Sequence, residues 1–319
     1  VFQQIVLDTL VTGLPLIPMF LGVYIVLRLR EDFDLTVQGS LALGAGVTAI
    51  SMLHGAPAML GIVLGVAAGG IAGIATSLIH LWLRIPVLMA GLVMNLALFT
   101  ITLRVMGMPT ISLIGRPTIF HELTRTSGPT TDAVVVVLLL VIVAVVLTSF
   151  GLFLKTEIGL ALRASGVNAR MVRSQGGNDN ALLVLALVIS NSLSAFSGAL
   201  IVQVQGFADV NMGSGMFIAG AGAVLLGSLL LKPTGSRVIR TVLAVLIGGL
   251  LYQAIQISAL RLGLPAGDLQ AVTALTLILA VAAQRYLAPA LSRYGVRIPS
   301  QPRAPQPELV PAPPVESRT

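Results

Sequence analysis

The residues able to do chemistry in this chain fall into two sets, and neither has the make-up of a catalytic centre. The first is a polar, cationic segment, KTEIGLALRASGVNARMVRSQGGNDN, from Lys155 to Asn180, set between two long apolar runs. Its basic residues are Lys155, Arg163, Arg170 and Arg173. Read as a helix from Ile158, it puts Arg163 and Arg170 seven residues apart on nearly one face, with Gly166 between them as a potential break. Chemistry of that kind serves contact, either with a groove on a soluble protein or with anionic lipid headgroups. The second set is uncharged. Ser190, Ser194 and Ser197 follow i, i+4, i+7 spacing with Asn191 beside them, and Asn95, Gln253 and Gln256 add three amides within apolar runs. Such groups cannot face hydrocarbon without cost. They hydrogen-bond to other helices, or they line a path for a polar, zwitterionic or sugar-like solute.

Several chemistries have no basis in this sequence. His54, His80 and His121 are scattered over different loops or span ends, which suits packing or interfacial roles better than a metal site. With no cysteine, thiol catalysis, disulfides and Cys-based metal sites are all excluded. There is no GxxxxGK[ST] phosphate loop, so the chain is not itself an ATPase. No Asp, Glu, Lys or Arg stands clearly at the middle of an apolar run, where ion-coupled carriers place their ionisable groups. A transport or channel role without its own enzymatic chemistry is what remains.

The elements that position these residues follow from composition. Hydrophobic residues make up 56% of the chain, charged residues 10%, and the mean hydropathy is +0.97. A hydrocarbon core of about 30 Å needs roughly 20 apolar residues as helix, and lipid leaves the backbone no other partner. The expected fold is all-α and polytopic, with about nine transmembrane helices near 9–27, 37–53, 57–79, 86–103, 133–153, 181–202, 216–231, 238–260 and 269–286. No cleavable signal is expected, because the first run lacks a basic flank. With the 155–180 segment on one side, only Arg104, Arg116, Arg125 and Arg261 of the 19 Lys and Arg fall on the other. The positive-inside rule therefore puts that segment in the cytoplasm, the N-terminus outside and the C-terminus inside. Net charge of +7 is accordingly a topology signal, with no nucleic-acid partner implied.

Residues 1–287 read as one transmembrane domain and 288–319 as a Pro-rich, disordered cytoplasmic tail, or alternatively a docking peptide of polyproline type. Gly61, Gly65, Gly69 and Gly73 form a ridge along one span, and Gly220, Gly222 and Gly227 repeat the theme. Each invites close helix approach, within the subunit or at a dimer face.

Three stretches carry a family resemblance. DLTVQGS, with Asp34, Leu35, Thr36, Val37 and Gly39, is similar to the Asp-Leu-Ser/Thr-Val-x-Gly signature of permease subunits in ABC importers of the ribose and branched-chain amino acid group. GLALRASGVNARMVRSQGGN resembles the G-x-x-x-R-A-x-G-x-N segment of the same permeases, with Gly159, Arg163, Ala164, Gly166 and Asn168 at the matching positions and Gly176 and Gly177 in the later turn. AGAVLLGSLLLKPTGSRVIRTVLAVLIGGLLYQ, from Ala221 to Gln253, resembles a third stretch, although Ser228 replaces the usual second Gly and Arg240 to Val245 departs from its small-residue pattern. FADVNMGSG and LRLGLPAGDLQ look most like the branch associated with tryptophan, tyrosine or related amino acids.

The resemblance implies a transport subunit of a bacterial inner-membrane importer. Two permease subunits, as a homodimer or related heterodimer, form the pore. Two cytoplasmic ATPases, which hold ATP and Mg, engage the 155–180 segments, where Gly159, Arg163, Ala164, Gly166, Asn168 and Arg170 are the coupling residues. An extracytoplasmic binding protein delivers the solute, an amino acid or, within the same class, a sugar or nucleoside. A self-contained facilitator or channel is the alternative from another class.

Overall fold

The computed structural model describes residues 2–116, 118–120, 131–231 and 238–287. The expected tail, His121 and Arg125 lie outside them. Among the described residues the regular structure is helical except for one short ribbon. The first helix, α1, runs unbroken from Gln3–Arg30. Pro15 and Pro18 cannot donate to the helical ladder, and the winding tightens into a 3₁₀ turn at Leu14–Leu16, then loosens into π-helix at Ile25–Arg30. There follow α2 (Thr36–Leu53), α3 (Ala58–Leu83), α4 (Val87–Met106) and α5 (Thr131–Phe153). Two short helices come next, α6 (Glu157–Val167) and α7 (Ala169–Ser174), before α8 (Asp179–Gln205), α9 (Met216–Leu230), α10 (Val238–Arg261) and α11 (Leu269–Ala282). The ribbon pairs β1 (Thr110–Ser112) antiparallel with β2 (Phe207–Asp209). It marks one end of the bundle, and α6–α7 mark the opposite, basic end.

Among the described residues seven helices are long and apolar enough to cross a membrane, while α9 and α11 are shorter apolar helices. At about 1.5 Å per residue the 15 residues of α9 rise only about 22 Å. The nine expected spans thus resolve into seven full-length helices and two short ones, in the places expected for spans seven and nine. The reason α9 is short lies in the chain before it. After β2 the backbone folds back into the bundle, and Gly213 packs so tightly on the Gln38 carbonyl that a Cβ would overlap it. A helix starting from that depth needs fewer residues to reach the basic end.

α1 is apolar on every side, and Ile17, Met19, Phe20, Leu21 and Ile25 are fully buried at the centre of the largest core cluster. α5, the most apolar helix, is mostly exposed and packs on the core along one stripe, Leu139, Val143, Leu147 and Phe150. The Gly ridge of α3 packs inside the subunit. A Cβ at Gly61 would lie 3.2 Å from the Thr48 carbonyl, at Gly65 2.8 Å from that of Gly44, and at Gly73 2.6 Å from that of Leu187. α2, α3 and α8 therefore meet backbone to backbone. Gly227 of α9 and Gly248 of α10 make a second such crossing.

Candidate functional site

Asp34 sits at the start of α2, fully buried. Its Oδ1 accepts from the Thr36 amide at 2.8 Å and its Oδ2 from Asn191 Nδ2 at 2.8 Å. Asp34 thereby holds the first amide of α2 from one residue before its N-cap position, Leu35. Burial pushes its carboxyl above the ordinary range, and the Thr36 and Asn191 donors pull it back. Gly91 of α4 lies against Oδ1, where a Cβ would come within 2.6 Å. The signature residues form one junction: Thr36 Oγ1 bonds Thr76 of α3 at 2.9 Å, Val37 is buried, and Gly39 faces Leu98 and Asn95 of α4.

The serine stripe of α8 enters the same junction. Ser40 donates to Asn191 Oδ1 at 2.7 Å, Ser190 to the Gly22 carbonyl at 2.9 Å, Ser194 to that of Val37 at 2.6 Å and Ser197 to that of Pro15 at 2.5 Å. All four stripe residues have no exposed surface, and their bonds tie α8 to α1 and α2. Of the two readings of this stripe, interhelical bonding is the one its geometry displays.

Gln253 and Gln256 are placed differently. Both line a cavity of about 540 Å³ between α1, α8, α10 and α11, bounded by the segment between β2 and α9. Gln253 Nε2 donates to Thr12 at 3.0 Å, and Gln256 Nε2 donates to Tyr252 and Thr273 at 2.7 Å each. None of the side chains lining this cavity carries a charge. Amides and hydroxyls around an apolar volume suit a neutral or zwitterionic solute. Asn95, by contrast, stands apart beside Gly39.

At the basic end Thr156 caps α6 by accepting from the Gly159 amide, and Asn168 caps α7 by accepting from Met171. Asn168 also ends α6, its amide donating to the Ala164 carbonyl at 2.9 Å. The chain therefore breaks at Asn168, and Gly166 lies inside α6. This separates the two arginines expected on one face. Arg163 is half-buried and donates to the Leu154 carbonyl at 3.1 Å, whereas Arg170 is exposed on α7. Gly159 and Gly166 press against the backbone at Phe153 and Leu29, so α6 is seated on α5 and α1.

A residue the sequence did not single out anchors this element. Arg30 is buried at the end of α1 and donates to Ser165 of α6 and Asp179 of α8, both at 2.8 Å. In the sequence it reads as an ordinary interfacial cation. Only its facing Asp179, at the start of the next long apolar run, hinted at a partner. The outer side of α6–α7 stays open: Val167 is 87% exposed, with Met171, Arg170 and Arg173 near it.

Membrane-length helices around an uncharged cavity, with a capped helical pair standing at one end, define a multi-pass membrane permease. Residues 5–282 match the family described as branched-chain amino acid transport system / permease component, and the chain belongs to that family. It is 31% identical over 273 residues to a tyrosine transport system permease protein of Clostridioides difficile, covering 86% of this chain and 89% of the relative. It is 32% identical over 281 residues to an uncharacterized protein of Rickettsia prowazekii, covering 88% and 97%. A probable ABC transporter permease of Sinorhizobium fredii is 29% identical over 279 residues, covering 86% and 79%. No solved structure matches the chain.

Proposed function

We propose that this chain is the membrane subunit of an ATP-binding cassette importer that carries a neutral amino acid inward. The observation that carries the reading is the α6–α7 pair, fastened from behind by Arg30, Gly159 and Gly166 and open in front at Val167, Arg170 and Met171. A rigid, partly apolar and cationic knob suits docking into a groove of a partner ATPase, whose closure then moves it as a body. ATP and Mg are held by that partner. The basic end faces the cytoplasm of a bacterial inner membrane, with the N-terminus outside and the C-terminus inside. Residues 1–287 form the transport domain, a second permease subunit completes the pore, and a binding protein presents solute at the ribbon end.

The amino acid assignment draws support from the uncharged cavity and from the name of the Clostridioides relative. Gln253 and Gln256 line the path in this reading, while Ser190, Asn191, Ser194 and Ser197 hold the helices that frame it. A self-contained facilitator would leave the open face of α6–α7 without a use.

The test is purification of the tagged chain together with the products of neighbouring transport genes, followed by reconstitution. The expected result is ATPase copurification and uptake of labelled L-tyrosine that depends on ATP and the binding protein. Solute movement by the chain alone in ATP-free liposomes would overturn the importer reading. Uptake of ribose or a nucleoside with no amino acid uptake would overturn only the solute.

A further inference from the structure

Two cavities flank α9, and one large side chain belongs to both. The amide-lined cavity lies toward the ribbon end, and a second, of about 370 Å³, opens between α1, α9 and α11 toward the basic end. Their walls differ in kind. The first offers Tyr252, Gln253, Gln256 and Thr273, whereas the second is apolar except for Arg28. Ile218 lines both. Its neighbours divide between them, Ala219 facing the first cavity and Phe217 and Ala221 the second. Phe217 in turn meets Phe33 edge to face, with ring centroids 6.4 Å apart.

We propose that Ile218 is the hydrophobic constriction between two chambers of a single solute route, with the Phe217–Phe33 contact holding it shut. The proposal rests on the transport function proposed above. A branched apolar side chain between two open volumes excludes water and polar solutes by dewetting, without having to fill the whole cross-section. α9 is suited to carry such a part. It is short, and its first turn follows Gly215 in the left-handed conformation with no side-chain cap. Its last turn is held by Ser228, whose Oγ accepts from Arg28 at 3.3 Å and from Gln284 at 2.6 Å. Tension on α1 or α11 at the basic end would therefore reach the constriction through one helix. Ile218 is 42% exposed, so its replacement disturbs little packing.

The experiment uses the permease–ATPase complex reconstituted in liposomes. Ile218→Ala should raise the ATP-independent equilibration of labelled L-tyrosine about tenfold, and Ile218→Trp should cut ATP-driven uptake about tenfold while ATP hydrolysis continues. Because the chain has no cysteine, Ile218→Cys places a single thiol in it. That thiol should react with a membrane-impermeant methanethiosulfonate from one side at rest, and from the other once vanadate arrests the complex. Unchanged leak and uptake in the first two variants overturn the proposal, as does a thiol unreactive in both states. If the unaltered complex carries no L-tyrosine, the solute assignment fails by itself. Thiol access then decides the constriction, alternating sides supporting it and no reaction overturning it.

Discussion

Asp34 and Asn191 concentrate the polar chemistry of the core in two side chains. Asp34 accepts from the Thr36 amide and from Asn191 Nδ2, and Asn191 also serves Ser40 and the Leu187 carbonyl. Asn191→Leu removes the side chain that joins these groups and leaves a buried carboxyl short of a partner, at a cost of about 3 kcal/mol. The expected outcome is less assembled protein and a lower melting temperature in detergent, measured by fluorescence size-exclusion chromatography after heating. Normal assembly with lost transport would instead return the serine stripe to the solute path. Adding Asp34→Asn to that variant should restore part of the loss, since an amide has no ionised form to bury without that donor.

Glycine contacts set the placement of the helices. At Gly166 a Cβ would fall on the Leu29 carbonyl, a backbone atom that cannot swing aside, whereas at Gly222 it would meet only Tyr252 and Leu277 at 3.9–4.0 Å. Gly166→Ala should therefore lift α6 off α1 and lower ATP-driven uptake about tenfold with ATP hydrolysis retained, while Gly222→Ala should behave like the unaltered chain. Equal uptake in the two variants would show that the seating of α6 is irrelevant to transport. Much of this level was legible in the sequence. The four-residue spacing of Gly61 to Gly73 announced a close helix contact, which the structure places between α3 and its neighbours α2 and α8. The length of α9 was not legible, because residues 216–231 have the apolar make-up of a full span. What shortens it is the fit of Gly213 against Gln38, a contact between residues far apart in sequence. The break at Asn168 was hidden for a related reason, since glycine is the stronger helix breaker and Asn168 acts through its cap.

The whole molecule has two unlike ends, and its orientation is open to a direct check. Single cysteines replacing Arg170 on α7 and Ile114, which is 92% exposed near the ribbon, should be modified from opposite sides of the membrane. Arg170→Cys is expected to react only in inside-out vesicles and Ile114→Cys only in right-side-out ones; the reverse pattern would invert the topology. The two ends also differ in how they are fastened, with Asp8 paired to Arg261 at the ribbon end and Arg30 to Asp179 at the other. Because α3 and α8 touch through glycines with almost no side chain between them, that part of the bundle has little compliance. A push delivered to α6 and passed by Arg30 and Asp179 into α8 has nothing soft to compress there. In the importer proposed above, the Gly ridge would then act as a fulcrum, and the displacement would fall to the parts that rest on side chains alone, namely the short helices beside the cavities.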